Sequence, residues 1–140
     1  MKKRASQNDE GGAEEVRISA SEWEVMEVLW GHGGWMLAGE VLAGLSPARE
    51  WARKTVNTFL ARLVGKGVVG TEARGRANLY RAVVGRDDCV KREAETFLER
   101  VFRGAAGPAL VHFLENEDLS EQELAEIEAM LKRRREEGGK

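Results

Sequence analysis

Apolar residues change their spacing several times along the chain, and each change predicts an element. Residues 1–16 are polar and glycine-containing with no period, which predicts a disordered tail. A helix opens at Ser19-Ala20-Ser21-Glu22. Either Ser19 with Glu22 or Ser21 with Glu24 forms the S-x-x-E box that satisfies the free amides of a helix start. Trp23, Met26 and Trp30 share a face with Val25 and Leu29, and Gly31-His32-Gly33-Gly34 ends the pattern. Trp35-Met36-Leu37 predicts a short strand, and Ala38 to Leu45 a second short helix with Val41, Leu42 and Leu45 inward. After the break at Ser46-Pro47, residues 53–66 predict a third helix, with Val56, Phe59, Leu60, Leu63 and Val64 on one side and Gly67 as its stop. Val68 to Arg74 and Asn78 to Val83 are two strand-like runs around Gly75-Arg76, the pattern of a β-hairpin. Helix, short strand, helix, helix and hairpin is the element order of a winged helix-turn-helix.

Beyond residue 85 the period is helical throughout. Val90, Ala94, Phe97 and Val101 form a stripe widened by Leu98 and Phe102, and Gly104 with Gly107-Pro108 interrupts it. Leu110, Phe113 and Leu114 make another apolar face. Ser120 and Glu123 form a second capping box, followed by Leu124, Ile127 and Leu131 on one side. Three short helices hold too little volume for an independent core, so these faces need a partner surface. Packing onto the winged helix of the same chain is one solution, and a homodimer is the favoured one. The fold class expected is mostly α with a small β-hairpin: a winged helix at 17–84, a helical dimerisation region at 85–135 and a short disordered tail at 136–140.

Charge sharpens this division. The 140 residues carry a net charge of −2, which alone argues against a nucleic-acid partner. Counted by segment, residues 1–48 hold −4, residues 49–81 hold +6, residues 82–103 balance, and residues 104–140 hold −4. The basic charge is focused where the third helix and hairpin fall, and focused charge sets the local field for an anionic partner.

Projected at about 100° per residue, the polar side of residues 53–66 carries Lys54, Thr58, Ala61 and Gly65, flanked by Arg53, Thr55, Asn57 and Arg62. Lys and Arg suit phosphates or guanine, Asn suits adenine, and Thr offers a hydroxyl and a methyl for thymine. Ala61 and Gly65 let the backbone lie close to a groove, and no acid occurs between Arg53 and Thr71. Arg74 and Arg76 at the hairpin suit the minor groove or its phosphates. Each residue alone also fits an ordinary solvated surface, with Arg62 free to pair with a carboxylate. The set together favours double-stranded DNA over a winged-helix protein-interaction module.

Other chemistry finds little support. Asp87-Asp88 fit the dipole of a helix start, and Cys89 has no histidine near it in sequence, so a buried or idle thiol is expected there and not a nucleophile. His32 lies in a glycine-rich turn, and Gly31, Gly33 and Gly34 lack the following lysine of a phosphate loop. Trp23, Trp30 and Trp35 read as core. Lys132-Arg133-Arg134-Arg135 fits compensation of a helix dipole. One cysteine excludes an internal disulfide framework, and neither a catalytic set nor a metal site can be assembled from this inventory. The expectation is a non-enzymatic chain with no cofactor or metal. No stretch nears the roughly 18 apolar residues of a membrane span, and no apolar segment follows Met1-Lys2-Lys3-Arg4, so a cytoplasmic protein is expected.

These residues resemble a known family. Ile18 to Met26 with Leu29-Trp30 resembles the start of the BlaI/MecI/CopY family of penicillinase-type repressors. Trp51, Lys54-Thr55-Val56, Thr58, Leu60, Arg62-Leu63-Val64 and Lys66-Gly67 resemble its recognition helix, and Gly75-Arg76 with Tyr80 its wing. Leu110 to Leu114, Glu117 to Ser120 and Glu123-Leu124 resemble its dimerisation region. The resemblance spans about residues 17 to 135. It implies a homodimeric repressor on a palindromic operator with TACA/TGTA half-site cores. Phe97, Leu98, Val101, Phe102, Leu110, Phe113, Leu114, Leu124, Ile127 and Leu131 would lie between subunits. It further implies relief by a membrane sensor protease, which in the antibiotic-resistance members cuts between Asn and Phe in the fifth helix. The matching bond here is His112-Phe113. The Cys-x-Cys pairs of the copper-responsive branch are missing, and Ala52-Arg53 replaces the Ser-Pro that often caps the recognition helix.

Overall fold

The computed structural model describes residues 17–138. The tail expected at residues 1–16 lies outside the described residues, as do residues 139 and 140. The elements in order are α1 (Ala20–His32), β1 (Met36–Leu37), α2 (Ala38–Gly44), a 3-10 turn (Pro47–Arg49), α3 (Arg53–Gly65), β2 (Val69–Arg74) and β3 (Ala77–Ala82). Three further helices follow: α4 (Arg86–Phe102), α5 (Ala106–Asn116) and α6 (Glu121–Gly138). The architecture is mostly helical with one small antiparallel sheet, as the periods predicted. Two boundaries differ from expectation. α6 continues through Gly138, so residues 136–138 are helical where a tail was expected. Glu123 and the Ser120 cap start α6 firmly, and no proline follows to stop it.

Of the two capping boxes open at the start of α1, the chain uses the first. The Ser19 hydroxyl accepts from the Glu22 amide at 3.1 Å, and the Glu22 carboxylate accepts from the Ser19 amide at 3.0 Å. Glu24 is thereby left for another role. α3 ends in a Schellman arrangement: the Gly67 amide bonds the Val64 carbonyl and the Val68 amide bonds the Leu63 carbonyl. Gly67 sits at φ 83°, the left-handed position that a side chain would strain. Leu63 and Val68, both buried, belong to the same core beneath the turn.

The sheet runs β1-β3-β2, with β3 in the middle. Met36 pairs with Tyr80 and Leu37 with Leu79 on one side, while Val69 pairs with Ala82 through to Arg74 with Ala77 on the other. Beneath it, Val25, Met26 and Leu29 of α1, Val41 of α2, and Val56, Leu60 and Leu63 of α3 form a fully enclosed core. Trp23 and Trp30 meet edge to face on α1, and the Trp30 indole donates to the Val84 carbonyl at 2.9 Å, so these rings are structural.

The chain divides into two compact units, one ending at Ala94 and the other beginning at Glu95. The expected boundary at 84/85 is therefore early. The first turns of α4 belong to the winged helix, because Cys89 joins its core and the Ile18 amide donates to the Glu93 carboxylate at 3.2 Å. In the second unit α6 has no buried residue, and the apolar side chains of α5 and α6 are largely exposed.

Candidate nucleic-acid interface

The outer face of α3 exists because its inner face is committed. Val56, Leu60 and Leu63 recur at helical spacing and are enclosed, which turns Arg53, Lys54, Asn57, Thr58, Ala61, Arg62 and Gly65 outward. All seven are exposed, while Thr55 is half-buried at the margin. The Thr58 hydroxyl donates to the Lys54 carbonyl at 3.1 Å, a local bond within the helix. A Cβ at Gly65 would meet nothing within 4 Å, so the helix surface there is open to a close-lying partner.

Arg74 ends β2 and Arg76 lies in the two-residue hairpin turn, and both are exposed. The fold then divides the predicted residues into two groups. Arg53, Asn57 and Arg76 line a single cleft of about 400 Å³ between the start of α3 and the hairpin, together with Leu37, Ala38, Ala77, Asn78 and Tyr80. Lys54, Thr58 and Arg62 lie along the helix outside it, and Arg74 lies on the other side of the turn. The Arg53 guanidinium packs against α2, where a Cβ on Gly39 would stand 3.4 Å from it.

Asn78 and Tyr80 were not among the sequence candidates for contact. The signal existed: residues two apart on a strand point to one face, so 78 and 80 fall together once the hairpin register is set, just after Arg76 in the turn. No acid lines this cleft. Among the described residues no ion pair engages Arg53, Lys54, Arg62, Arg74 or Arg76. The pairs that form are Arg49–Glu24, Lys66–Glu22 and Arg86–Glu27, each away from the outer face of α3. The carboxylate partner considered for Arg62 is thus not there. Arg81 instead covers the Trp35 ring, 4.6 Å from its centroid.

Behind this face the charged groups are tied down. Glu22 is 2 % exposed and receives Lys66 Nζ at 2.5 Å. Burial pushes its carboxyl pKa up, but hydrogen bonds from Lys66 and the Ser19 amide outweigh that and hold it below the ordinary value. Burial raises the Cys89 thiol, so it stays protonated at neutral pH, as a core side chain would. His32 holds its turn through the Trp35 carbonyl at 3.2 Å.

In the second unit the residues expected between subunits are brought together in part. Phe97 lies 6.0 Å from Phe102 and 6.2 Å from Phe113, ring to ring, and Leu110, Ile127 and Leu131 line an apolar groove with Ala106 and Met130. Val101, Leu110, Phe113, Leu114, Leu124 and Leu131 keep between a third and two thirds of their surface exposed; Leu98, Phe102 and Ile127 are half-buried. The His112-Phe113 bond lies inside α5, with the Asn116 amide donating to the His112 carbonyl at 2.8 Å. No helix among the described residues is long and apolar enough to cross a membrane.

Known proteins match this chain over most of its length. The chain is 34 % identical over 115 residues to the penicillinase repressor of Bacillus licheniformis, covering 82 % of this chain and 89 % of that protein. It is 28 % identical over 117 residues to the methicillin resistance regulatory protein MecI of Mammaliicoccus sciuri, covering 84 % and 94 %. The solution structure of the DNA-binding domain of the repressor BlaI aligns with 51 % of this chain and 87 % of that one, at 36 % identity and a TM-score of 0.46. The family model for the penicillinase repressor matches residues 18–133. That span takes in the winged helix and nearly all of the three helices after it, and the chain belongs to the penicillinase repressor family.

Proposed function

We propose that the chain is a homodimeric, sequence-specific DNA-binding transcriptional repressor. The observation that carries this reading is the outer face of α3, where Arg53, Lys54, Asn57, Thr58 and Arg62 are exposed and, among the described residues, free of acidic partners beside a cleft that adds Arg76 and Asn78. Membership of a family whose relatives are named as repressors supports it. Lys54, Thr55, Asn57, Thr58 and Arg62 read base edges and adjacent phosphates in the major groove. Arg53, Asn57, Arg76 and Asn78 grip the backbone where helix and hairpin converge, and Arg74 reaches the neighbouring groove.

The second unit supplies the dimer. Its apolar side chains are left uncovered by their own unit, and a two-fold pairing through Phe97, Leu98, Val101, Phe102, Leu110, Phe113, Leu114, Leu124, Ile127 and Leu131 would bury them. A two-fold protein reads a two-fold site, so the operator is palindromic, and the family resemblance implies TACA/TGTA half-sites for it. Cleavage at His112-Phe113 by a membrane sensor protease relieves repression, because the cut divides α5 in the middle of that interface. A sensor protease encoded beside this gene that leaves the bond intact would count against this route.

The deciding experiment is fluorescence anisotropy of the full chain with a palindromic TACA/TGTA duplex and a scrambled duplex of equal composition at moderate salt. Preference for the palindrome is expected. Equal binding removes the repressor reading, and a stable protein partner without DNA affinity would replace it with an interaction module.

A further inference from the structure

α3 begins without a cap. Ala52 occupies the N-cap position in extended geometry, and its methyl group offers no oxygen to the free amides of the first turn. Just before it, Glu50 holds φ 54°, a left-handed conformation unfavourable for a residue with a Cβ. Local sequence therefore does little to set where, or in what direction, this helix starts.

Tertiary contacts do it instead. Glu24 of α1, left unused by the capping box, receives Arg49 Nε at 2.7 Å and pairs with the same guanidinium through Nη2. The Arg49 guanidinium also lies 5.4 Å over the Trp51 ring, and Trp51 meets Phe59 of α3 edge to face at 5.1 Å. A continuous line of contacts, Glu24–Arg49–Trp51–Phe59, thus runs from α1 through the connecting turn to the second turn of α3. The far end of α3 is held by the same helix and the residues just before it, through Lys66 on Glu22 and on the Arg17 carbonyl at 2.7 Å.

We propose that Glu24 and Arg49 are positioning residues for sequence recognition. Clamped by Glu24 and stacked on Trp51, Arg49 fixes the direction in which the first turn of α3 leaves the 3-10 turn. That direction sets the register in which Lys54, Asn57 and Thr58 meet base edges. This rests on reading α3 as the DNA-contacting helix. Base readout needs hydrogen bonds aligned to a few tenths of an ångström, whereas attraction to phosphate tolerates a shifted helix. Loosening the clamp therefore lowers the preference for the right sequence without lowering affinity for DNA in general.

Glu24→Gln tests this with an unusual sign. Removing an acid makes the protein more cationic, so a plain charge effect strengthens binding to every duplex. Positioning instead predicts that affinity for the palindromic TACA/TGTA duplex falls about tenfold, on the scale of one well-aligned base contact. Affinity for the scrambled duplex should hold or rise slightly, and the melting temperature should barely move because the pair is partly exposed. A second arm needs no DNA: amide hydrogen exchange at Val56, Asn57 and Thr58, in the first turns of α3, should quicken in the variant while exchange at Leu60 and Leu63 stays slow. If wild type prefers the palindrome and Glu24→Gln keeps the same preference, the positioning role is overturned. It is equally overturned if first-turn exchange is unchanged. If wild type itself shows no preference, the DNA reading fails, and the role in recognition falls with it.

Discussion

Leu60 and Leu131 are the same residue on the apolar sides of two helices, and they meet opposite fates. Leu60 is fully enclosed within the winged helix, while Leu131 on α6 leaves 49 % of its surface exposed. The contrast extends over both units. Val25, Met26, Leu29, Val41, Val56 and Leu63 are covered by their own chain, whereas Leu110, Val101, Phe113 and Leu114 are not. The first unit has a sheet, three helices and the start of α4 to close a core. The second has helices too few and too slender to cover both sides of one another. Similar amphipathic patterns therefore yield a self-sufficient module in one place and an apolar surface that its own unit leaves uncovered in the other.

The strongest way to break this comparison is to cut the same residue on each side. Leu60→Ala should cost about 3–5 kcal/mol of stability in urea denaturation, through lost burial and the cavity left behind. Leu131→Ala should leave the unfolding of the winged helix unchanged. A large effect of Leu131→Ala at dilute protein would show that the second unit is covered after all.

A charge placed on the uncovered surface tests what covers it. Leu110 is 59 % exposed, so Leu110→Asp should be tolerated by the monomer, yet weaken self-association by about 2–3 kcal/mol, some 30- to 150-fold, in sedimentation equilibrium. An unchanged dimer would move the interface elsewhere.

Within the first unit, Glu22 sharpens the contrast between a buried charge and a surface one. Its folded pKa lies below the ordinary value of 4.5, so its stabilisation is fully present above that pH and is lost as pH falls through the lowered value. Glu22→Gln should cost about 1.5–3 kcal/mol at neutral pH and flatten the stability profile in acid. A variant that retains the wild-type loss in acid would assign that loss to other carboxylates.

The smallest effect is expected on the open face of α3. Arg62→Ala should weaken binding to every duplex and reduce the slope of log affinity against log salt by about one unit, with no change in melting temperature. An unchanged slope would remove Arg62 from the phosphate contacts.

Much of the fold was legible because its signals are local. The Ser19–Glu22 box, the glycines after His32 and Lys66, the inward period of Val56, Leu60 and Leu63, and the two strand runs around Gly75-Arg76 each settle a backbone decision within a few residues. The outward face of α3 followed from that period, and so did the apolar stripes after residue 85. What was not legible depends on distant partners. Nothing near Cys89 in sequence says that it belongs to the core of α1 and α3, so the unit boundary was read ten residues early. Asn78 entered the cleft only once β3 was registered beside β2 and brought against the start of α3.

The sequence by itself thus determined which faces are apolar, where most helices and the hairpin begin and end, and that cationic and amide side chains collect without acids on one helix. Hydrogen-bond caps, glycine φ angles and hydrophobic period all act over a few residues, so they can be read in order along the chain. Only the tertiary structure decided which of two capping boxes forms, that Glu24 is released to hold Arg49, and that Arg53, Asn57, Arg76 and Asn78 meet in one cleft. Those choices turn on ångström distances between residues tens of positions apart, which packing of the whole core sets and no local pattern encodes.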